Sequence, residues 1–178
     1  IKLDSHGPVF FRQERIGKEG KPFRICKFRT MANDDATQVV GSGASEEHRI
    51  TRVGRFLRQW SLDEFPQLIN VLKGEMSIVG PRPTLRYQVE LYDDFQRRRL
   101  LAKPGITSWA AVNGRNSLSW RERIKLDVWY VEHWSLWLDV KIVFRTAWVT
   151  FVTREGIYGP GGVNDDFASS SLQQGRHE

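Results

Sequence analysis

Two prolines close together near the middle of the chain limit how the backbone can run there. In Gly80-Pro81-Arg82-Pro83, each proline fixes its own φ and disfavours the helical region for the residue before it. The segment therefore cannot lie inside a helix, and we predict an extended turn. We expect a helix over residues 84–101, ending before Lys103-Pro104-Gly105, and a Gly/Asn/Ser-rich loop over 105–117.

The residues before this turn alternate between strand-like and helical patterns. Two short apolar runs, 8–12 and 23–29, are joined by a Gly/Pro-containing connection and predict a hairpin-like pair of strands. The polar residues 32–50 predict a loop. Helical spacing begins near residue 52 and is clearest from 62, and Gly74 lies where that helix would stop. The apolar stripe of this helix is formed by Leu62, Phe65, Leu68, Ile69 and Leu72.

Two further helical patterns, at about 119–132 and 136–153, complete the chain before its composition changes. Residues 159–178 are rich in Gly, Ser, Gln and Asn and predict a flexible tail. We therefore expect one α+β, mostly helical domain over residues 1–158, with a small β-hairpin.

The most apolar stretch, residues 136–152, is interrupted by Asp139, Lys141 and Arg145, whereas a membrane span needs about 20 mostly apolar residues. On a helix, the apolar side chains of this stretch form one stripe edged by Lys141 and Arg145. The pattern fits a helix lying in a membrane interface and equally an ordinary core-facing helix. The stripe comprises Trp137, Val140, Phe144, Trp148 and Phe151. The chain begins without a methionine, and we expect a further segment upstream.

The positive charge is concentrated at one end of the chain. The net charge is +6, and residues 1–60 hold 12 Lys and Arg against 7 Asp and Glu. Such an excess predicts an anionic partner, namely phosphate, nucleic acid or acidic lipid. The single cysteine, Cys26, excludes an internal disulfide framework and resembles a strand residue more than a nucleophile.

Adjacent carboxylates, Asp63 and Glu64, begin the helical pattern that follows Ser61. Ser61 and Glu64 fit the capping box S-x-x-E, so helix capping alone explains the pattern. A carboxylate fixed at a helix N-terminus also suits a nucleophile or a metal ligand. The two roles are compatible, and both remain open at this point.

Several cations lie on backbone whose conformation is restricted. Lys27 and Arg29 alternate in a predicted strand and share a face, Arg82 lies between two prolines, and Arg115 follows Asn113-Gly114 in a turn-type segment. Fixed cations suit phosphate oxygens, which arginine can bind through two hydrogen bonds. No Gly-rich P-loop or dinucleotide motif is present, and the four histidines lack metal-site spacing.

With these residues in place, the chain resembles the bacterial sugar transferases, and in particular the small polyprenyl-phosphate sugar-phosphotransferases that begin glycan assembly. The resemblance runs almost end to end. It is carried by the blocks GPVFFRQERIG, FRICKFRTM, SLDEFPQLINVLKGEMSIVGPRP, KPGITSWAAVNGRN and LDVWYVEHWSLWLDVKI.

The resemblance implies a monotopic enzyme on the cytoplasmic face of the bacterial inner membrane, with a re-entrant membrane helix upstream of residue 1. It also implies that Asp63 attacks the β-phosphorus of a UDP-sugar, expels UMP and becomes a phosphosugar adduct. Polyprenyl (undecaprenyl) phosphate then accepts the sugar phosphate. Mg²⁺ is the implied cofactor, with Asp63 as its ligand and Glu64 as a catalytic partner. The substrate-binding residues implied are Lys27, Arg29, Pro81, Arg82, Pro83, Asn113 and Arg115.

Two other functions are compatible with parts of the sequence. A nucleic-acid-binding module would explain the pI near 9.7, but the tryptophans lie away from the basic N-terminal third and no recognition motif appears. We therefore expect no nucleic-acid partner. A catalytically inactive membrane-surface scaffold would not need Asp63-Glu64 or the GPRP segment. The sequence does not select a sugar.

Overall fold

A computed structural model describes residues 1–32, 49–114 and 117–153 of the chain. In these residues, short helices surround two small two-stranded sheets. Most of the predicted loop over 32–50 and all of the predicted tail over 159–178 lie outside the described residues. The domain boundary at residue 158 therefore remains a prediction.

The predicted hairpin is confirmed, and its first strand continues four residues beyond the predicted run 8–12. Strands β1 (Phe10–Ile16) and β2 (Pro22–Phe28) are antiparallel, and a short 3₁₀ turn (Lys18–Gly20) joins them. Side chains alternate between the two faces of each strand. Phe23 and Ile25 of β2 pack against Met76 in one cluster of the core.

The helical pattern after residue 52 is divided into three elements. Helix α1 (Arg52–Gln59) is capped by Thr51 and is followed by a 3₁₀ helix (Leu62–Gln67) and then by α2 (Leu68–Leu72). Gly74, with φ of 76°, lies just beyond α2 as predicted.

The predicted apolar stripe of this segment faces largely outward. Phe65 is 63% exposed and Leu72 is 89% exposed. The side chain that holds the segment to the hairpin is polar. Asn70 is buried, accepts a hydrogen bond from the backbone N–H of Cys26 at 3.0 Å and donates one to the carbonyl of Arg24 at 2.8 Å. Satisfying buried backbone groups in this way fixes α2 against the edge of β2.

The GPRP turn continues a strand that the sequence did not reveal. Strand β3 (Ser77–Val79) pairs in parallel with β4 (Gly105–Thr107), where a loop was expected. The expected helix over 84–101 is also wrong as a single element. It consists of α3 (Arg86–Glu90), α4 (Asp94–Arg97) and a 3₁₀ helix (Arg98–Leu101). Asp93 accepts a hydrogen bond from the Gln96 N–H at 2.7 Å, and such a cap starts a new helix rather than continuing the old one.

After a short helix α5 (Trp109–Val112), the two predicted C-terminal helices are confirmed as α6 (Trp120–Glu132) and α7 (Leu136–Trp148), with a π turn following (Val149–Thr153). They complete the core around four buried side chains: Val79, Val112, Tyr130 and Ile142. In the described part of the chain, no helix combines the length and apolar character needed to cross a membrane.

The aromatic stripe of α7 does not face the core. Trp137 is 77% exposed, Phe144 is 73% exposed and Trp148 is 60% exposed, whereas Ile142 on the opposite face is fully buried. The interpretation of this stripe as core is therefore wrong, because Ile142 and Leu138 supply the packing.

Candidate active site

The Asp63-Glu64 pair lies in the 3₁₀ helix that crosses strand β2. The predicted capping box is not formed. Ser61 adopts a left-handed conformation, with φ of 53°, and its side chain makes no capping hydrogen bond. An N-cap residue normally has an extended backbone instead. The Glu64 carboxylate does not contribute to a cap either, because it is bound to Lys27. The sequence pattern was therefore misleading about local structure.

Glu64 forms ion pairs with two cations from distant parts of the chain. Its Oε1 atom accepts a hydrogen bond from Lys27 Nζ at 2.7 Å and lies 3.5 Å from Arg82 Nη2. Lys27 and Glu64 are both about one-fifth exposed, whereas the Arg82 side chain is 59% exposed. Glu64, the residue after Asp63, thus joins the hairpin to the GPRP turn through two cations.

The Asp63 side chain points in a different direction from that of Glu64 and has different contacts. Successive residues of a 3₁₀ helix point about 120° apart, and in the described residues no other side chain forms a hydrogen bond or salt bridge with the Asp63 carboxylate. Burial raises the pKa of Asp63 above the usual aspartate value, and the nearby charge of Glu64 raises it further. Lys27 and Arg58 oppose that rise. Asp63 is therefore a partly buried carboxylate close to cations but not bound by them.

The pair lines an open cleft of about 1260 Å³ between the hairpin and the C-terminal helices. This volume is on the scale of sites that hold large organic ligands. The lining includes the cations Arg15, Lys27 and Arg82 and the aromatic residues Phe65 and Phe151. Such a cleft suits a ligand that carries both anionic and apolar groups.

The remaining predicted substrate-binding residues are distributed unevenly. Arg29 is only 4% exposed, and its guanidinium donates hydrogen bonds to the carbonyl of Pro8 at 2.6 Å and to Ser5 Oγ at 2.7 Å. Arg29 lines the cleft, but these bonds hold the N-terminal segment to the hairpin, so a phosphate contact by Arg29 stays a prediction. Pro81 is buried and Pro83 is partly exposed.

The structure does not bring Asn113 to this cleft. Its Nδ2 atom donates to the Trp109 carbonyl at 2.7 Å at the end of α5, and the side chain is absent from the cleft lining among the described residues. Arg115 lies outside the described residues. The roles of both residues in substrate binding therefore stay predictions.

A buried network holds the GPRP turn from behind. Arg99 is 2% exposed and donates hydrogen bonds to the Arg82 carbonyl at 2.9 Å, to the Tyr92 hydroxyl at 2.6 Å and to the Asp127 carboxylate. Burial raises the pKa of Asp127 to about 6, although Arg99 opposes the rise. Sequence patterns gave no sign of this network, because its members lie far apart along the chain.

Arg15 was also missed, although a period-two signal was available. In the hairpin Phe11 lies directly opposite Lys27, so Phe11, Gln13 and Arg15 share the face that carries Lys27. All four residues line the cleft.

The acidic residues at the cleft fit a Mg²⁺ ion that is shared with a substrate. In the described residues no three metal-ligating side chains come together. Mg²⁺ is commonly held by one or two protein carboxylates together with substrate phosphates. Among the described residues, the Asp63 carboxylate forms no ion pair and could serve as such a ligand, whereas Glu64 is already paired with Lys27.

The chain is similar to known proteins over most of its length. Residues 1–153 match the family described as bacterial sugar transferase. The chain is 49% identical over 157 residues to the uncharacterized sugar transferase EpsL of Bacillus subtilis, an alignment that covers 88% of this chain and 76% of EpsL.

Two longer relatives have names that specify a reaction. One is the UDP-glucose:undecaprenyl-phosphate glucose-1-phosphate transferase of Escherichia coli, 44% identical across 86% of this chain and 35% of the relative. Another is the undecaprenyl-phosphate galactose phosphotransferase of Salmonella typhimurium, 42% identical across 85% of this chain and 35% of the relative. The chain thus spans about a third of these two proteins. It belongs to the bacterial sugar transferase family, whose members are enzymes that transfer sugar phosphates.

Proposed function

We propose that this chain transfers a sugar-1-phosphate from a UDP-sugar to polyprenyl (undecaprenyl) phosphate, with Asp63 as the nucleophile. The observation that carries the proposal is the difference in ion pairing between Asp63 and Glu64. Glu64 is fixed by two cations, whereas Asp63 lines the same cleft without an ion-pair partner in the described residues. The names of the relatives support the donor and acceptor classes.

The proposed reaction has two phosphoryl-transfer steps. An Asp63 carboxylate oxygen bonds to the β-phosphorus of the donor, and the bond from that phosphorus to the bridging oxygen breaks. UMP leaves with the electron pair. A phosphate oxygen of the polyprenyl phosphate then bonds to the same phosphorus and displaces Asp63, which restores the carboxylate and gives polyprenyl-diphosphate-sugar. No net proton is needed in either step.

The cations of the cleft would stabilise charge during these steps. Catalysis of phosphoryl transfer rests largely on positioning and electrostatic stabilisation. Lys27, held by Glu64, and Arg58 place two positive charges near the Asp63 carboxylate, and Arg82 lines the same cleft. Mg²⁺ held by Asp63 and the donor diphosphate would neutralise further phosphate charge.

The acceptor carries a lipid chain, and the exposed apolar side chains fit that chemistry. Phe65, two residues after Asp63, is 63% exposed, and Phe151 across the cleft is 58% exposed. Together with the exposed aromatic residues of α7, they are compatible with a position at a membrane surface, which we propose to be the cytoplasmic face of the inner membrane. An inactive scaffold would have no use for the free carboxylate of Asp63.

The test is UMP release from a panel of UDP-sugars in the presence of Mg²⁺ and detergent-solubilised polyprenyl phosphate. Asp63→Asn should reduce the rate to background, because an amide of the same shape cannot form the acyl-phosphate bond. Glu64→Asp, which retains an acidic partner for the two cations, should keep measurable turnover. Mass spectrometry of protein mixed with donor alone should show a phosphosugar adduct on Asp63. Near-native turnover by Asp63→Asn would refute the covalent mechanism.

A further inference from the structure

Arg15 is a partly buried cation that lines the cleft, as Lys27 and Arg82 do. It lies on β1, on the face shared with Phe11 and Gln13, and lines the same cleft as Asp63. Its Nη2 atom donates to Gln13 Oε1 at 2.6 Å. Its buried Nε atom has no hydrogen-bond partner in the described residues. The protein therefore satisfies only part of the hydrogen-bonding capacity of this guanidinium.

No acidic side chain in the described parts of the chain forms an ion pair with Arg15. The neighbouring Glu14 lies on the other face of the strand and pairs with Arg86 at 3.0 Å. Glu64, which also lines the cleft, is bound to Lys27 and Arg82. The positive charge of Arg15 is thus left without a counter-charge.

Arg15 is instead close to another cation. Burial and then the charge of Arg82 lower the pKa of Arg15 to about 10, while Tyr87 has the opposite influence. A group with that pKa is still protonated at neutral pH. Two cations near each other, one of them partly buried and unpaired, are unfavourable in an empty cleft and become favourable when an anion lies between them.

We propose that Arg15 is a phosphate-binding residue of the cleft that, together with Arg82, holds the diphosphate of the nucleotide-sugar donor. The inference rests on the proposed function for the identity of the ligand. Arginine suits this role because its planar donors match phosphate oxygens. The acceptor also carries a phosphate, but the diphosphate has more negative charge and can contact two cations at once. Arg15 is therefore assigned to the donor. The backbone of Arg82 is held in place by a hydrogen bond from Arg99 to the Arg82 carbonyl.

The test separates binding from turnover. Binding of UDP and UMP to the protein is measured by calorimetry without donor or acceptor, for the wild type and for Arg15→Lys and Arg15→Gln. UDP affinity should decrease in the order Arg, Lys, Gln, with a loss of about 10- to 100-fold for Arg15→Gln, the range expected for a charge-assisted hydrogen bond. The matched control is Arg12→Gln, which removes one positive charge from an exposed position on the same strand, outside the cleft lining.

Steady-state kinetics then identify which phosphate Arg15 contacts. Arg15→Gln should lower kcat/KM for the UDP-sugar by a similar factor and leave the KM for polyprenyl phosphate unchanged. A loss confined to the acceptor KM would overturn the assignment to the donor. UDP affinity of Arg15→Gln equal to that of Arg12→Gln would overturn the proposal altogether. If Arg15→Gln does not fold, Arg15→Lys with an unchanged melting temperature and native UDP affinity would do the same.

The two proposals can fail separately. Arg15-dependent UDP binding by a protein that releases no UMP from any donor would support the phosphate-binding role and refute the proposed reaction. Normal turnover that is insensitive to Arg15→Gln would refute the role of Arg15 and leave the reaction intact.

Discussion

Adjacent carboxylates at the cleft have different environments, and in the proposed mechanism this difference favours Asp63 as the nucleophile. Glu64 is bound to Lys27 at 2.7 Å, so using it as a nucleophile would first require breaking a partly buried ion pair. Asp63 has no such partner among the described residues, and its pKa is raised by burial. A carboxylate that is less stabilised in its charged form is a better nucleophile, provided that it is ionised at the working pH.

Glu64→Gln should move the pH–rate profile to lower pH. Burial and then the Glu64 charge raise the pKa of Asp63, so removing the charge lowers that pKa and extends activity to more acidic conditions. Burial lowers the pKa of Lys27, and Glu64 opposes that fall. Lys27 therefore loses its proton at lower pH in the variant, and the basic limb moves in the same direction.

The measurement is kcat/KM for UMP release as a function of pH, which reports groups of the free enzyme. Glu14→Gln is the matched control, because Glu14 is 53% exposed and pairs with Arg86 away from Asp63. Its profile should coincide with that of the wild type. A shift to higher pH in Glu64→Gln would contradict the assigned electrostatic coupling.

At the scale of elements, strands β3 and β4 hold the GPRP turn in place through an unusually close approach of two glycines. A Cβ atom added at Gly80 would lie 2.2 Å from the Lys103 carbonyl oxygen and 2.9 Å from the Gly105 nitrogen. Both are backbone atoms, so only a movement of the strands could make room. The turn that carries Arg82 depends on this contact.

Gly80→Ala should destabilise the fold by about 1–3 kcal/mol, the usual cost of inserting a methyl group into a tightly packed site. It should also raise the KM for the donor, because Arg82 would be displaced. Urea denaturation measures the first effect and UMP release the second. Gly20→Asn is the control, since no atom lies within 4 Å of a Cβ at that turn and asparagine tolerates its φ of 75°. Equal stability of both variants would show that the strands separate at little cost.

Sequence patterns predicted the elements that depend on local signals and missed those that depend on distant contacts. The hairpin and helices α6 and α7 were predicted because alternation, turn residues and helical periodicity lie within each segment. Strands β3 and β4 have three residues each, too few to show a period, and they form only when the two segments meet. The capping box was a local signal that was wrong, because the ion pair of Glu64 with Lys27 prevailed over capping.

The same distinction applies to the site. Asp63, Glu64, Lys27 and Arg82 were singled out from their local context, and the structure brings them to one cleft. The positions of Arg15 and Arg99 were not predicted, because a surface arginine and a buried arginine look alike in sequence. Arg29 looked equivalent to Lys27 on the strand face. Only the three-dimensional structure shows that the Arg29 guanidinium donates a hydrogen bond to the Pro8 carbonyl.

At the scale of the whole molecule, α7 carries three exposed aromatic side chains, Trp137, Phe144 and Trp148. Large exposed apolar patches on proteins mark sites that contact a partner or a membrane. The proposed acceptor is a membrane lipid, and contact of this surface with a membrane would place the cleft close to it. Lys141 and Arg145 extend over the ring of Trp109 and flank the exposed stripe, where they would face anionic headgroups.

Replacing Trp137 and Trp148 together by serine should weaken binding of the 178-residue chain to anionic phospholipid vesicles by at least about tenfold, because two large apolar side chains no longer enter the interface. The melting temperature should not change, since both side chains are at least 60% exposed. Vesicle co-sedimentation measures the binding. Phe95→Ser, at a 43% exposed aromatic residue on α4, is the control and should bind like the wild type. Unchanged binding by the double variant would show that α7 does not lie on the membrane, and the acceptor would then have to reach the cleft by another surface.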